Sequence, residues 1–288
     1  MPSKSSKRSE ARTIRAIRIH FENPENLSVI KEAVSLLKKD LGSIKVSTNR
    51  LALSHDVTED ILAQLISMRL IDPCKRDAKA IDSFALRDYE NRVLAGESRA
   101  RGVPYDGTGL MRFYQRNVKS ADSLAEEMHI IITDRLTMTW SEDDLRYHAR
   151  VAVFGAPCVI SMSGLIEAPA RPRDYYVSRQ ALEAIGAGSS SDKILAEKFS
   201  GRYLEPDDPR TGRVLHGYLF QSLFFSAFGN PFCEDKDCLL FNAHWQEEMI
   251  HAQLKSSRLC DKHKKMLMAI ASEEKHIQSN RLENKPLT

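Results

Sequence analysis

The stretch from Val214 to Phe228, VLHGYLFQSLFFSAF, most constrains the fold this chain can adopt. Read as a helix it is apolar nearly all round, so it has no face to offer water and must lie at the centre of the molecule. Gly229 follows where a left-handed residue ends such a helix. His216, Gly217, Gln221, Ser222 and Ser226 interrupt the run, and no unbroken apolar stretch approaches the length of a membrane span. A chain of 288 residues is long enough to wrap that helix in a sizeable core.

Other elements follow from periodicity. Ile14 to Phe21 alternates apolar and basic residues and predicts a half-exposed strand, and Asn26 to Leu41 carries one apolar stripe, as an amphipathic helix does. A strand is expected over Ser43 to Thr48 and a helix over Glu59 to Arg69, with charged, irregular sequence through Val103. After YDGTG a helix is expected from Leu110 to Glu127. HIIITDRL (His129 to Leu136), HARVAVFG and CVISMSGL read as strands. EAPARPRDYY reads as a loop because Pro169 and Pro172 prevent pairing. Helices over Tyr176 to Ile185 and Ser191 to Phe199 follow, and Asp261 to His276 closes the chain. Nothing divides it convincingly. The expectation is a basic, disordered tail over residues 1–12 (Lys4, Lys7, Arg8 and Arg12 among it) and one domain over 13–280.

Cys233, Cys238, Cys260 and His263 have the spacing C-x4-C, then, after 21 residues, C-x2-H. Zinc takes four such ligands in a tetrahedron, and two short-spaced pairs supply them with little backbone strain. At the start of the last helix, a spacing of three puts Cys260 and His263 on one face. His244 and His251 lie near enough in sequence to replace His263. Four protein ligands close the coordination shell, so one zinc held over 233–263 is structural rather than catalytic. The odd number of cysteines, five, fits reduced thiols and a metal site better than a disulfide framework, and no secretory signal follows Met1; both point to the cytoplasm.

The segment HIIITDRLTMTWSEDDLRYHARVAVFGAPCVISMSGLIEAPARPRDYY, with YDG before a helix and the cysteine-rich end, resembles a family of archaeal proteins described as metallopeptidases and related to the archaemetzincins. The likeness runs from about Ile14 to Leu267. It implies an α/β, zincin-like (metzincin-related) mixed sheet, a central buried helix and a C-terminal helical region stapled by zinc. Archaemetzincins hold a catalytic zinc on H-E-x-x-H-x-x-G-x-x-H. The cysteine framework of a separate structural zinc follows directly, as C-x4-C-x-M and a later C-x-x-C. Here the cysteines survive, with His263 in place of the last one and Leu240 in place of the methionine. The peptidase half does not. Gly229 falls on the motif glycine, but the histidine positions hold Ser222, Ser226 and Phe232 and the glutamate position holds Leu223. Phenylalanine and leucine cannot ligate zinc, serine is a poor ligand, and leucine cannot activate water.

The resemblance therefore implies a zincin fold without zincin chemistry, acting by binding an unknown protein or peptide partner. Two other readings remain. One is a hydrolase with an unconventional site around Asp134, Arg135 and His148, which stand at strand ends. The other is a nucleic-acid-associated factor using the basic tail and Arg171, Arg173, Tyr175 and Tyr176. A net charge of only +3 disfavours nucleic acid as the main partner. His216 reads as a partly buried, hydrogen-bonded side chain.

Overall fold

The computed structural model describes residues 12–42, 44–53, 56–118, 126–188 and 190–270. Apart from Arg12, the expected tail lies outside the described residues, as does the last helix beyond 270.

Four strands, β1 (Ala16–Phe21), β2 (Lys45–Arg50), β4 (Glu127–Thr133) and β8 (Cys158–Ser161), run parallel in a five-stranded sheet of order β2-β1-β4-β8-β7. The short β7 (Ala152–Val153) closes one edge antiparallel to β8. A second, three-stranded sheet pairs β5 (Leu136–Ser141) in parallel with β3 (Pro104–Asp106) and antiparallel with β6 (Arg146–Ala149). Strand alternation assigns the core layers. Ile17, Ile19, Met128, Ile130 and Ile132 face a core shared with α1 (Leu27–Leu41) and α8 (Thr211–Phe228), whereas Ile131 and Val159 face a second core with α2 (Glu59–Met68) and α4 (Gly107–Asn117). The mixed sheet is thus covered on both faces, as parallel strands require.

Local signals explain the boundaries. The Thr58 hydroxyl caps α2, Asp106 of YDG accepts from the N–H groups of Thr108 and Gly109 to start α4, and Ser161 accepts from Gly164 to start α5 (Met162–Glu167). α8 buries Leu215, Leu219, Phe220, Leu223 and Phe224 almost completely. At about 1.5–3 kcal/mol for each such side chain, it is the principal anchor of the first core. It ends as expected at Gly229, whose φ is 73°. His216 is buried, 3.1 Å from Asp40 and edge-on to Phe220. Among the described residues no helix is long and apolar enough to cross a membrane.

Several expectations are corrected. α3 (Phe84–Ala95) stands in the stretch read as irregular, α4 ends at Asn117, and Glu127 already belongs to β4. CVISMSGL divides into β8 and α5, and HARVAVFG bends at Val151 between β6 and β7. The loop reading of EAPARPRDYY fails at its end, because α6 (Arg173–Ala184) begins directly after Pro172. α7 (Ser190–Lys198) matches its expected position, and a short α9 (Gln246–Ile250), continued by a π-turn over His251–Ser256, was not foreseen.

Candidate metal centre

Cys233 and Cys238 sit on the loop leaving α8, held by two backbone bridges: Cys233 N–H to Leu240 and Leu239 N–H to Arg258. Cys260 and His263 lie at the start of the final helix, which is described over 261–270. One ligand atom from each of the four comes within 4.8 Å of the others. Cys233 Sγ is 3.9 Å from Cys260 Sγ, and His263 Nδ1 is 3.7 Å from Cys238 Sγ and 3.0 Å from Cys260 Sγ. With zinc–sulfur bonds of about 2.3 Å, neighbouring sulfurs of a tetrahedron stand roughly 3.8 Å apart, so the cluster has the size such an ion needs.

The surroundings fit as well. Backbone N–H groups of Asp235 and Cys260 donate to the sulfurs of Cys233 and Cys238, both at 3.4 Å, which stabilises thiolates. Burial, first among its causes, lowers the His263 imidazole and keeps it neutral and able to ligate. Burial also pushes the Cys238 and Cys233 thiols up, so a metal entering the cluster must displace their protons. His251 is turned away, 2.6 Å from Asp237, and His244 lines a cleft elsewhere.

The positions that the resemblance assigns to a catalytic zinc are filled differently. Leu223 is fully buried in the first core. Ser222 Oγ is buried without a hydrogen-bond partner, and the Cys158 thiol lies against Ser222 and Ser226. Phe154 packs its ring 5.4 Å from Phe225 and 5.7 Å from Phe232. Aromatic rings and a buried thiol thus occupy the space around these positions. Beside it runs a cleft of about 750 Å³, bordered by β6, the β7 edge, Tyr218, Gln221, Phe232 and His244.

The other candidates do not come together. His148 lines this cleft, 2.6 Å from Asp144. Asp134 takes hydrogen bonds from the amides of Asn23 and Asn26, at 2.6 and 2.7 Å, in a separate cavity of about 380 Å³ at the carboxyl ends of β1 and β4. Arg135 is fully buried between Glu22 and Glu90, with its guanidinium 4.7 Å from the Tyr105 ring centre. Sequence reasoning placed Arg135 at a cleft because it follows a strand. Its partners lie far away in the chain, and nothing local marks them. Arg171 is sandwiched between Tyr175 and Tyr203, so the basic-aromatic loop is largely packed against itself.

Residues 15–270 match the model of the "Probable metallopeptidase family (DUF6775)". The chain belongs to this family. Two solved structures are similar at low identity. Archaemetzincin from Methanopyrus kandleri is 11% identical, with a TM-score of 0.45 over 90% of this chain and 96% of that one. A zinc-dependent peptidase from Methanocorpusculum labreanum is also 11% identical, with a TM-score of 0.42 over 87% of this chain and 99% of that one. No curated protein matches the sequence. Within this probable metallopeptidase family, the chain pairs a Cys3His cluster with a mixed α/β fold built on a buried central helix.

Proposed function

We propose that this protein is catalytically silent, holds one structural zinc at Cys233, Cys238, Cys260 and His263, and uses the cleft beside α8 to bind an extended segment of a protein partner without cutting it. The observation that carries this reading is the content of the motif positions. Ser222, Leu223, Ser226 and Phe232 supply neither three metal ligands nor a base, and Phe154 and Cys158 pack among them. When bound, zinc would supply cross-linking, tying the loop after α8 to the final helix. Cys233 and Cys238 hold the loop side, Cys260 and His263 the helix side, and the N–H groups of Asp235 and Cys260 orient the sulfurs. A reducing compartment, the cytoplasm, suits the free thiols.

Elemental analysis of the purified protein tests this reading, beside a Cys233→Ser, Cys238→Ser double variant and a peptidase assay on unfolded protein substrates. One zinc per chain, none in the variant and no turnover are the expected results. A second metal that survives the double variant, or turnover abolished by chelation, would overturn the silent reading. An alternative hydrolase centred on Asp134, Arg135 and His148 is disfavoured because Asp134 and His148 line different cavities.

A further inference from the structure

We propose that the cleft beside α8 selects an acidic partner segment, bound in extended form along the β7 edge with its carboxylates against Arg146 and Arg150. This inference rests on the reading of the cleft as a segment-binding groove and adds what it recognises.

The charges around the groove are unbalanced in one direction. Arg146 and Arg150 line one wall. Among the described residues Arg146 has no side-chain partner, and the side chain of Arg150 bonds only the Thr139 hydroxyl, at 2.8 Å. Across the groove, Ala170 belongs to the lining and Arg171 follows it. The Arg171 guanidinium lies 4.8 and 4.6 Å from the Tyr175 and Tyr203 ring centres and donates to the Tyr175 hydroxyl. Arg173 lies 5.1 Å over Trp245, the neighbour of lining residue His244. None of these four guanidinium groups meets a carboxylate among the described residues. Several arginines elsewhere do: Arg87 sits on Glu59 and Asp82, Arg202 on Asp174 and Glu247, and Arg101 on Asp207. Glu167 is the one carboxylate in the lining. Glu142, Asp143 and Asp144 of the nearby turn do not line the groove; Glu142 pairs with Arg76 at 3.0 Å.

Two features favour a peptide over another anion. β7 is the terminal strand of its sheet, and Val151 and Ala152 border the groove, so an added strand can pair with that edge. At the floor, Gln221 is 2% exposed, and its Oε1 accepts no hydrogen bond while its Nε2 donates to Phe241 at 3.3 Å. A buried acceptor without a donor is costly, and a peptide N–H supplies one. Single-stranded nucleic acid instead needs free aromatic faces to stack its bases. Here Tyr175 is buried and Arg173 lies over the Trp245 ring, but Tyr176 and Phe232 are exposed in the lining, so nucleic acid enters the test as a competing ligand. Arginine pairs with carboxylates in a planar, two-bonded geometry, which makes unpaired arginines good selectors of Glu and Asp.

Fluorescence anisotropy tests the proposal with three fluorescein-labelled octapeptides, alternating Thr with Glu, Ser or Lys, and with a labelled oligothymidylate. The Glu peptide is expected to bind at least 10-fold more tightly than the Ser peptide, and the Lys peptide not at all. Binding of the Glu peptide should weaken at least 10-fold in R146A/R150A and again on raising salt. Both arginines are exposed, and matching thermal melts would show that the variant remains folded. Equal binding of the Glu and Ser peptides, lost in both cases when the bulky, uncharged side chain of Asn242→Trp fills the groove, would overturn the acidic selection and leave the segment-binding reading standing. Failure of all three peptides to bind would overturn both. Tighter binding of the oligothymidylate, with displacement of the Glu peptide, would overturn the proposal in favour of nucleic acid.

Discussion

Arg135 is enclosed by two carboxylates. Glu90 accepts from its Nη1 at 2.6 Å and Glu22 from its Nε at 3.3 Å, while the Tyr114 hydroxyl donates to Glu22 at 2.7 Å and the Tyr105 hydroxyl donates to Glu90. Nη2 of Arg135 has no partner. Two buried carboxylates against one guanidinium make the residues unequal. Removing the cation in Arg135→Met strands both anions and is expected to cost about 3–5 kcal/mol. Glu90→Gln keeps an acceptor, balances the charge and should cost less than about 1.5 kcal/mol. Urea titration of both variants decides it, and equal losses would show that charge balance is not what the cluster depends on. His20 offers a second test. Burial, then the neighbouring His129 at 3.1 Å and Arg18, holds its imidazole down to about 4. Its folded value lies below the unfolded one, so its contribution is complete above about pH 6.5 and is lost as pH falls toward 4. That loss amounts to about 3 kcal/mol across the window. Denaturation measured at steps of pH should show this slope in the wild type and a flatter one in His20→Gln.

Elements were legible where one face is apolar and illegible where it is not. α8 could be read directly because every turn of it is buried. α3 could not, because its buried residues are Val93 and the carboxylate-bearing Glu90, so its inward face reads as polar. β5 was hidden for another reason: its Leu-Thr-Met-Thr alternation follows the buried β4 after a two-residue turn, and the two strands merge into one apparent segment. The cysteine cluster was legible because metal ligands come in short-spaced pairs, whereas the cleft is assembled from β6, β7, α8 and the loop before α9 and has no sequence signature. α8 also makes a prediction. Leu223→Glu, at the position the resemblance assigns to a base, puts an unpaired carboxylate at a site with 0% exposure and should lower stability by at least about 3 kcal/mol. A variant as stable as wild type, seen by thermal melting, would mean that the helix has room for a carboxylate at this position. α5 sets a second limit. A Cβ at Gly164 would stand 2.3 Å from the Arg150 carbonyl oxygen, a backbone atom that cannot turn aside, so Gly164→Ala is expected to lose about 1–3 kcal/mol.

At the scale of the whole molecule, the first core depends on the first and last parts of the described chain meeting. It includes Ile14 and Ile17 from the start, Leu259 and Ile270 from the end, and Cys238 of the cluster. Stripping the metal with a chelator is therefore expected to loosen more than the local loop. Amide exchange should rise in the final helix and along the last turns of α8, while α2 and α4 in the second core stay protected. Uniform protection after metal removal would mean that the cluster only decorates the fold. The β7 edge carries one further consequence. An open strand at the end of a sheet invites the same strand of another molecule, and this one is only two residues long, with Arg146 and Arg150 beside it. Two such edges brought together would face like charge with like charge, so the two arginines, which have no carboxylate partner among the described residues, also oppose pairing of the molecule with itself.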